Sequence, residues 1–482
     1  MNPKSKIRNP KLLLSVSSVS LWFVLFLATL AQAATRTYDA EAAPVVQIDK
    51  ITVAGTWAAA DTGSIVIGNS TLTFTCGSDT TTTAQVATVI KNAINAPTID
   101  ASLVGKETRS AAGQQLGEFR DVEATIDPAD TAIVRVRSRS AGVPFYAVGS
   151  STLTVSESTA GTGTLTAASV QAATGPWHWD NATNWSANTL PVNDDTAEFK
   201  NTANGPKYGL PNGALEVTIE QHNSFTGPIG LQPINALGYS EYRQQWARLN
   251  DAGTGTNIAH RYGLGTGPGS PWIAVRHTLV KCTPVVYGTG QPAANSKALN
   301  IVCSEATSEL TVIKGSVDAS TQDGTTAGWA ALRCGSLGGG PQDSDVRYTG
   351  PATTFYVMGG KAVIESIASG SPNLWTYGGV TRVTNCSATW PVVNMFGGTI
   401  EWVSTGTLSQ LQQRGGSVFD ASFDRRALTI TAHDFFGPAV FRRPQGALTW
   451  GDVTLSGVLI GDGPDSVRLV VPVSTTLNFA DM

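Results

Sequence analysis

The sequence predicts a mainly β protein, with a small α+β module followed by a parallel β-solenoid. Three observations carry this prediction. Only 14% of the 482 residues are charged while Gly numbers 50, which suits many short strands and tight turns better than a helical bundle. Runs of Val, Ile, Thr and aromatic residues, bounded by Gly, Pro, Asn and Asp, recur along most of the chain. In the C-terminal half, glycine pairs recur at 359–360, 378–379, 397–398 and 415–416, in steps of 19, 19 and 18 residues.

Residues 1–33 read as a signal peptide. Lys4, Lys6, Arg8 and Lys11 precede an apolar run that is densest over 21–30 and ends at Ala31-Gln32-Ala33. A basic start, an apolar stretch and a small-x-small pattern predict cleavage after Ala33. The dense run is shorter than the roughly 20 residues of a spanning helix. Retention as an uncleaved anchor is the alternative. The expected location is secreted or cell envelope, with no stable membrane span once the signal is removed. Without the four basic residues of the signal, the balance is 28 basic to 36 acidic. A general nucleic-acid binder needs a basic face for phosphates, so nucleic acid is not an expected partner.

Residues 38–172 form the first module. Strands are expected at 51–57, 64–67, 71–75, 132–137, 145–148 and 152–155. Between them, Ala84, Val86, Ala87, Ile90 and Ile94 fall at helical spacing over 81–96, with Thr available to cap the start and Pro97 to end it. The opening pattern TV-x-GTW…DT…I-x-I…TLTFT resembles modules of bacteriophage tail and other virion-associated proteins. That resemblance covers about a quarter of the chain and implies a docking or assembly role.

Residues 173–199 form a junction containing Trp177, Trp179, Trp185, Asp180, Asn184 and Ser186. The W-D-x-A-x-N-W-S segment with the following Pro and D-x-A-x-F resembles the opening of β-solenoid regions in bacterial surface proteins and autotransporter passengers. It implies a solenoid cap. The alternative is a sugar-binding platform built from Trp177, Trp179 and Trp185. Asn193 and Asp195 are expected to bond to backbone in a turn.

Residues 200–482 are read as the solenoid with irregular insertions. A coil of about 19 residues must turn a corner where φ is positive or space is tight, and glycine accepts this without strain. The alternative is a β-sandwich with accidental glycine spacing. The insertion at 234–273 is expected to project as a loop.

The chemical motifs are sparse. Asp61-Thr62-Gly63-Ser64 matches an aspartic-protease tetrapeptide, but a second copy is missing, and that chemistry needs two carboxylates sharing a proton. Gly461–Val467 loosely matches one calcium-repeat copy, and a turn is the simpler reading. Cys76, Cys282, Cys303, Cys334 and Cys386 show no C-x-x-C pair. They read as buried apolar residues, with room for one disulfide between neighbouring coils. No metal site or cofactor is expected.

One enzyme reading remains. Asp343, Asp345 and Arg347, and separately Asp420, Asp424, Arg425 and Arg426, cluster in sequence. Alternate strand residues share a face, so the first set can form a polar stripe of the kind polysaccharide-cleaving β-helices use. A solvated outer face with local ion pairs is the bland alternative. The leading expectation is a non-catalytic exported structural or adhesive surface or assembly protein, with a phage-derived component within that class. It would act on a protein or glycan surface ligand, and its fold is compatible with homo-oligomers. The alternative is a carbohydrate-binding or polysaccharide-degrading β-helix.

Overall fold

In this computed structural model, two long parallel sheets run side by side, one of 14 strands and one of ten. Between residues 33 and 456 the structure describes all but 69, 79, 81, 96–104, 107–116, 147–152, 159–161, 214, 236–239, 251–259, 264–271, 279–281, 290–296, 304–305, 321–328, 338–343, 351 and 438. The strands at 105–106, 459–460, 466–467 and 477–479 are also placed. Residues 1–32 of the signal segment, Asp343, Pro97 and the calcium-like turn apart from Ser466 and Val467 lie outside the described residues.

From Arg261–Gly263 to Leu448–Ser456 the chain alternates strictly between the two sheets, making about nine turns of a parallel β-solenoid. The glycine pairs form the corners between a strand of the 14-stranded sheet and the next strand of the ten-stranded sheet. In each pair it is the second residue that adopts positive φ: Gly360 at 70°, Gly379 at 71°, Gly398 at 78° and Gly416 at 81°. Stacking crowds three of these corners, since a Cβ on Gly379 would lie 2.2 Å from the Gly360 carbonyl oxygen of the coil before.

Register then builds the core. In the 14-stranded sheet, Phe355, Leu374, Val393, Leu411, His433 and Val453 form one inward column. In the ten-stranded sheet, Val346, Ala362, Thr381, Ile400, Phe419 and Phe441 form the facing one. Because a parallel stack places residue on residue, each coil buries the apolar row of its neighbours. Cys76, Cys282, Cys303, Cys334 and Cys386 are all free and buried, and the Cys282 and Cys303 sulfurs lie 3.6 Å apart.

The first module has two four-stranded antiparallel sheets and one helix. The helix, Thr83–Asn95, starts with a reciprocal cap: Thr82 and Gln85 each hold the other's backbone N–H. Val86, Ala87, Ile90, Ala93 and Ile94 form its buried stripe. Val122–Ile126 and Thr164–Gln171 are strands that the sequence pattern left unassigned. Of the strand expected at 145–148, the described residues Phe145 and Tyr146 join no sheet, and Phe145 donates its N–H to the Gln47 side chain instead of a ladder, while 147 and 148 lie outside the described residues.

Two features differ from the linear reading. The solenoid sheet opens ahead of residue 200, at Thr196–Phe199, and Thr35–Thr37 adds a parallel strand in front of it. Asp195 fixes that start, accepting from the backbone N–H groups of Ala34 at 2.8 Å and Val192 at 3.1 Å. The 234–273 insertion does more than project. Its Tyr242 is buried in the module's apolar core, Arg243 donates to the Pro144 carbonyl at 3.1 Å, and Ala247–Asn250 starts the ten-stranded sheet.

Candidate functional site

The three junction tryptophans show where sequence order and exposure part. The Trp185 and Trp179 rings lie 4.9 Å apart, and Trp185 also packs on Tyr38 and Phe199. Phe199 continues the stack to Phe225. Trp179 is 4% and Trp185 2% exposed, so neither ring has a face free for a sugar. Their indoles close the first coil, and the Trp185 N–H donates to the Trp179 carbonyl at 2.7 Å. Trp177 is half-buried beneath the Lys207 ammonium. The burial of Trp179 and Trp185 fits the cap expected from this segment and removes both rings from the alternative sugar platform.

The candidate carboxylates fall into two separate groups. Asp345, Arg347 and Thr349 do share the outer face of Ser344–Thr349. Asp345 pairs with Lys297, and Arg347 with Glu365. Asp420 and Asp424 sit four strands away in the same sheet, roughly 19 Å at the usual interstrand spacing. Burial by itself would raise the Asp420 carboxyl, but hydrogen bonds from Ser422 and Arg442 hold it below the usual carboxylate range. Asp424 behaves alike, with burial outweighed by Arg426 at 2.9 Å. Arg425 is exposed at the corner. The sequence clusters thus do not converge, and Asp420 and Asp424 are neutralised by local arginines.

Between the two groups lies a groove that the linear clusters did not reveal. Lys361, Glu365, Arg382, Thr384, Asn385 and Glu401 line it, over the floor of Val363 and Val380, and it encloses about 580 Å³. It occupies the outer face of three adjacent strands, Lys361–Glu365, Val380–Thr384 and Thr399–Val403. Among the described residues, Lys361, Arg382 and Glu401 form no ion pair, whereas Glu365 is held by Arg347. Two unpaired cations with one unpaired carboxylate at the far strand can bind a charged group. They do not supply the two free carboxylates of glycoside hydrolysis. A signal was present in the sequence: Arg382 and Glu401 both stand three residues after a corner glycine.

The opposite outer face, on the 14-stranded sheet, carries half-buried rings. Tyr356 stacks on Trp375 at 6.5 Å, Trp375 on Phe396 at 6.1 Å, and Tyr377 on Phe396 at 4.8 Å with planes 2° apart. The Arg414 guanidinium lies 4.7 Å from Phe396 and 4.9 Å from Phe436. Asn394, Gln412, Gln410 and Asp434 continue the row in hydrogen-bonded sequence.

Neither a family model, nor a curated protein, nor a solved structure matches the chain. Among the described residues no His, Cys, Asp and Glu side chains group in threes as a metal site would need, and no helix is long and apolar enough to cross a membrane.

Proposed function

We propose that this chain is an exported structural or adhesive surface protein that acts by presenting surface rather than by breaking bonds. The observation that carries the reading is the stack itself. One parallel sheet runs unbroken through 14 strands from Thr35–Thr37 to Leu477–Phe479, over a continuous apolar core and behind an aromatic end cap. Such a stack behaves as a stiff rod in which each coil braces the next. The N-terminal module, braced by Tyr242 and Arg243, serves as a docking head. The paired state of Asp345, Asp420 and Asp424 favours ion-paired scaffolding over catalysis. The likeness of the N-terminal segments to virion modules and autotransporter passengers points the same way.

The test has two readouts, one on the producing cell and one on the purified chain. Fractionation with protease shaving of intact cells is expected to find the chain outside the cytoplasm and accessible. Incubation with a panel of polysaccharides is expected to release no new reducing ends. Product release, or retention in the cytoplasm, overturns the proposal.

A further inference from the structure

We infer that the ring-bearing outer face of the 14-stranded sheet is a glycan-binding strip, which holds a neutral polysaccharide lying along the solenoid axis. The inference rests on the adhesive reading and adds its ligand class.

Outer faces of a solenoid meet water, and the corresponding positions on the ten-stranded sheet are Arg347, Val363, Arg382, Glu401 and Asp420. The 14-stranded sheet instead places Tyr356, Trp375, Tyr377 and Phe396 on consecutive coils, with Phe396 36% exposed. Stacked neighbours along the row have planes within 25° of one another. From Tyr356 to Phe436 the row crosses five strands, or roughly 19 Å at the usual strand spacing. This is a flat, elongated platform rather than a pocket for a small molecule.

The polar partners have the matching chemistry. Trp375 is in register with Asn394, Asn394 with Gln412 and Gln412 with Asp434. Asn394 donates to Gln412 at 3.0 Å, and Gln410 donates to Asp434 at 3.0 Å, so each side chain fixes the orientation of the next. Planar amides and a carboxylate beside ring faces are suited to a pyranose. The negative face of an aromatic ring attracts the polarised C–H groups of the sugar, while the half-buried Gln410, Gln412 and Asp434 exchange hydrogen bonds with its hydroxyls and the buried Asn394 orients Gln412 from beneath. Arg414, clamped between Phe396 and Phe436, holds the rings apart and in line.

Charge separates this site from the groove on the other sheet. Arg333 is paired with Glu309 at 2.6 Å, Asp434 accepts from two amides, and the single Arg414 guanidinium set between two rings is balanced in charge by Asp434. The strip therefore lacks a cationic cluster and favours a neutral chain. The groove, with free Lys361 and Arg382, would favour an anionic one.

The test is an array of neutral and acidic polysaccharides probed with the purified chain at low and high salt. Binding to at least one neutral polysaccharide is expected, changing less than about twofold between about 50 and about 500 mM salt, regimes of weak and strong screening. Trp375→Ala and Phe396→Ser are expected to weaken it at least about tenfold, the loss of roughly 1.4 kcal/mol. Lys361→Ala with Arg382→Ala should leave it unchanged. Circular dichroism at the assay temperature separates lost binding from lost structure, and the more exposed Phe396→Ser serves if Trp375→Ala unfolds. No neutral ligand, salt-sensitive binding to acidic chains alone, or binding retained by both strip variants overturns the inference. A chain that is surface-exposed yet binds no glycan sinks the strip and leaves the surface role standing. A chain that binds and cleaves sinks the non-catalytic reading and leaves the strip.

Discussion

Replacing Gly379 or Gly416 by alanine separates two costs that coincide at most corners of the solenoid. Both residues have positive φ, 71° and 81°. Alanine there costs about 1–2 kcal/mol in backbone conformation, partly offset by about 0.4–1 kcal/mol from a less flexible unfolded chain. A Cβ on Gly416 would meet nothing within 4 Å, so Gly416→Ala should cost only that difference, about 1 kcal/mol. At Gly379 the new Cβ would lie 2.2 Å from the Gly360 carbonyl oxygen and 2.7 Å from the Gly359 carbonyl carbon. That same Gly360 oxygen accepts the Val380 N–H at 2.9 Å. Relieving the overlap pries adjacent coils apart and strips a backbone hydrogen bond, adding about 1–3 kcal/mol for the unsatisfied group. Gly379→Ala should therefore cost about 2–4 kcal/mol. Urea titration followed by tryptophan fluorescence gives the ranking, read as midpoints because a stacked array can unfold in stages. Equal midpoints for the two variants would show that stacking does not crowd the corner, and the argument for glycine there would fail.

Other predictions follow from buried groups. Trp402 is fully buried between Trp390 and Phe419, so Trp402→Ala should cost about 3–5 kcal/mol, seen as an early urea midpoint. Burial pushes the His433 imidazole down to about 3. His260 is lowered by burial and by His277 beside it. The unfolded chain takes up these protons near pH 6.5, so stability is full above that value and falls as the pH drops towards the folded values. The slope should reach about 1.4 kcal/mol per pH unit for each histidine. His433→Gln should flatten the decline between about pH 6.5 and about pH 5, and an unchanged slope refutes the assignment. All five cysteines are buried and free, so native protein should resist a thiol reagent and expose five thiols on denaturation. Three thiols with a Cys282–Cys303 peptide in mass spectra would instead mean that oxidation has joined the sulfurs seen 3.6 Å apart.

What the sequence determined was local and periodic. The helix over 83–95 was legible because Val86, Ile90 and Ile94 repeat at helical spacing behind threonines that can cap its start, and each of those signals lies within one element. The solenoid was legible because its corners need a residue that tolerates positive φ, and glycine therefore recurs with the coil length. Tertiary structure decided which residues meet across coils. Thr35–Thr37 finds Thr196–Phe199 across the whole first module, and no local pattern encodes so distant a pairing. Tyr242 leaves an irregular insertion to fill the module's core. Asp345 and Asp420, both candidates in the chain, are separated by four strands, whereas Lys361, Arg382 and Glu401 are joined. Tyr356, Trp375 and Phe396 likewise meet only after folding. The physical reason is common to these cases. Inward residues repeat because the core demands apolar volume in every coil, but outward residues obey no such demand, and corner segments of unequal length shift their register. Surface neighbours are fixed only when the backbone hydrogen bonds between coils have set which strand lies on which.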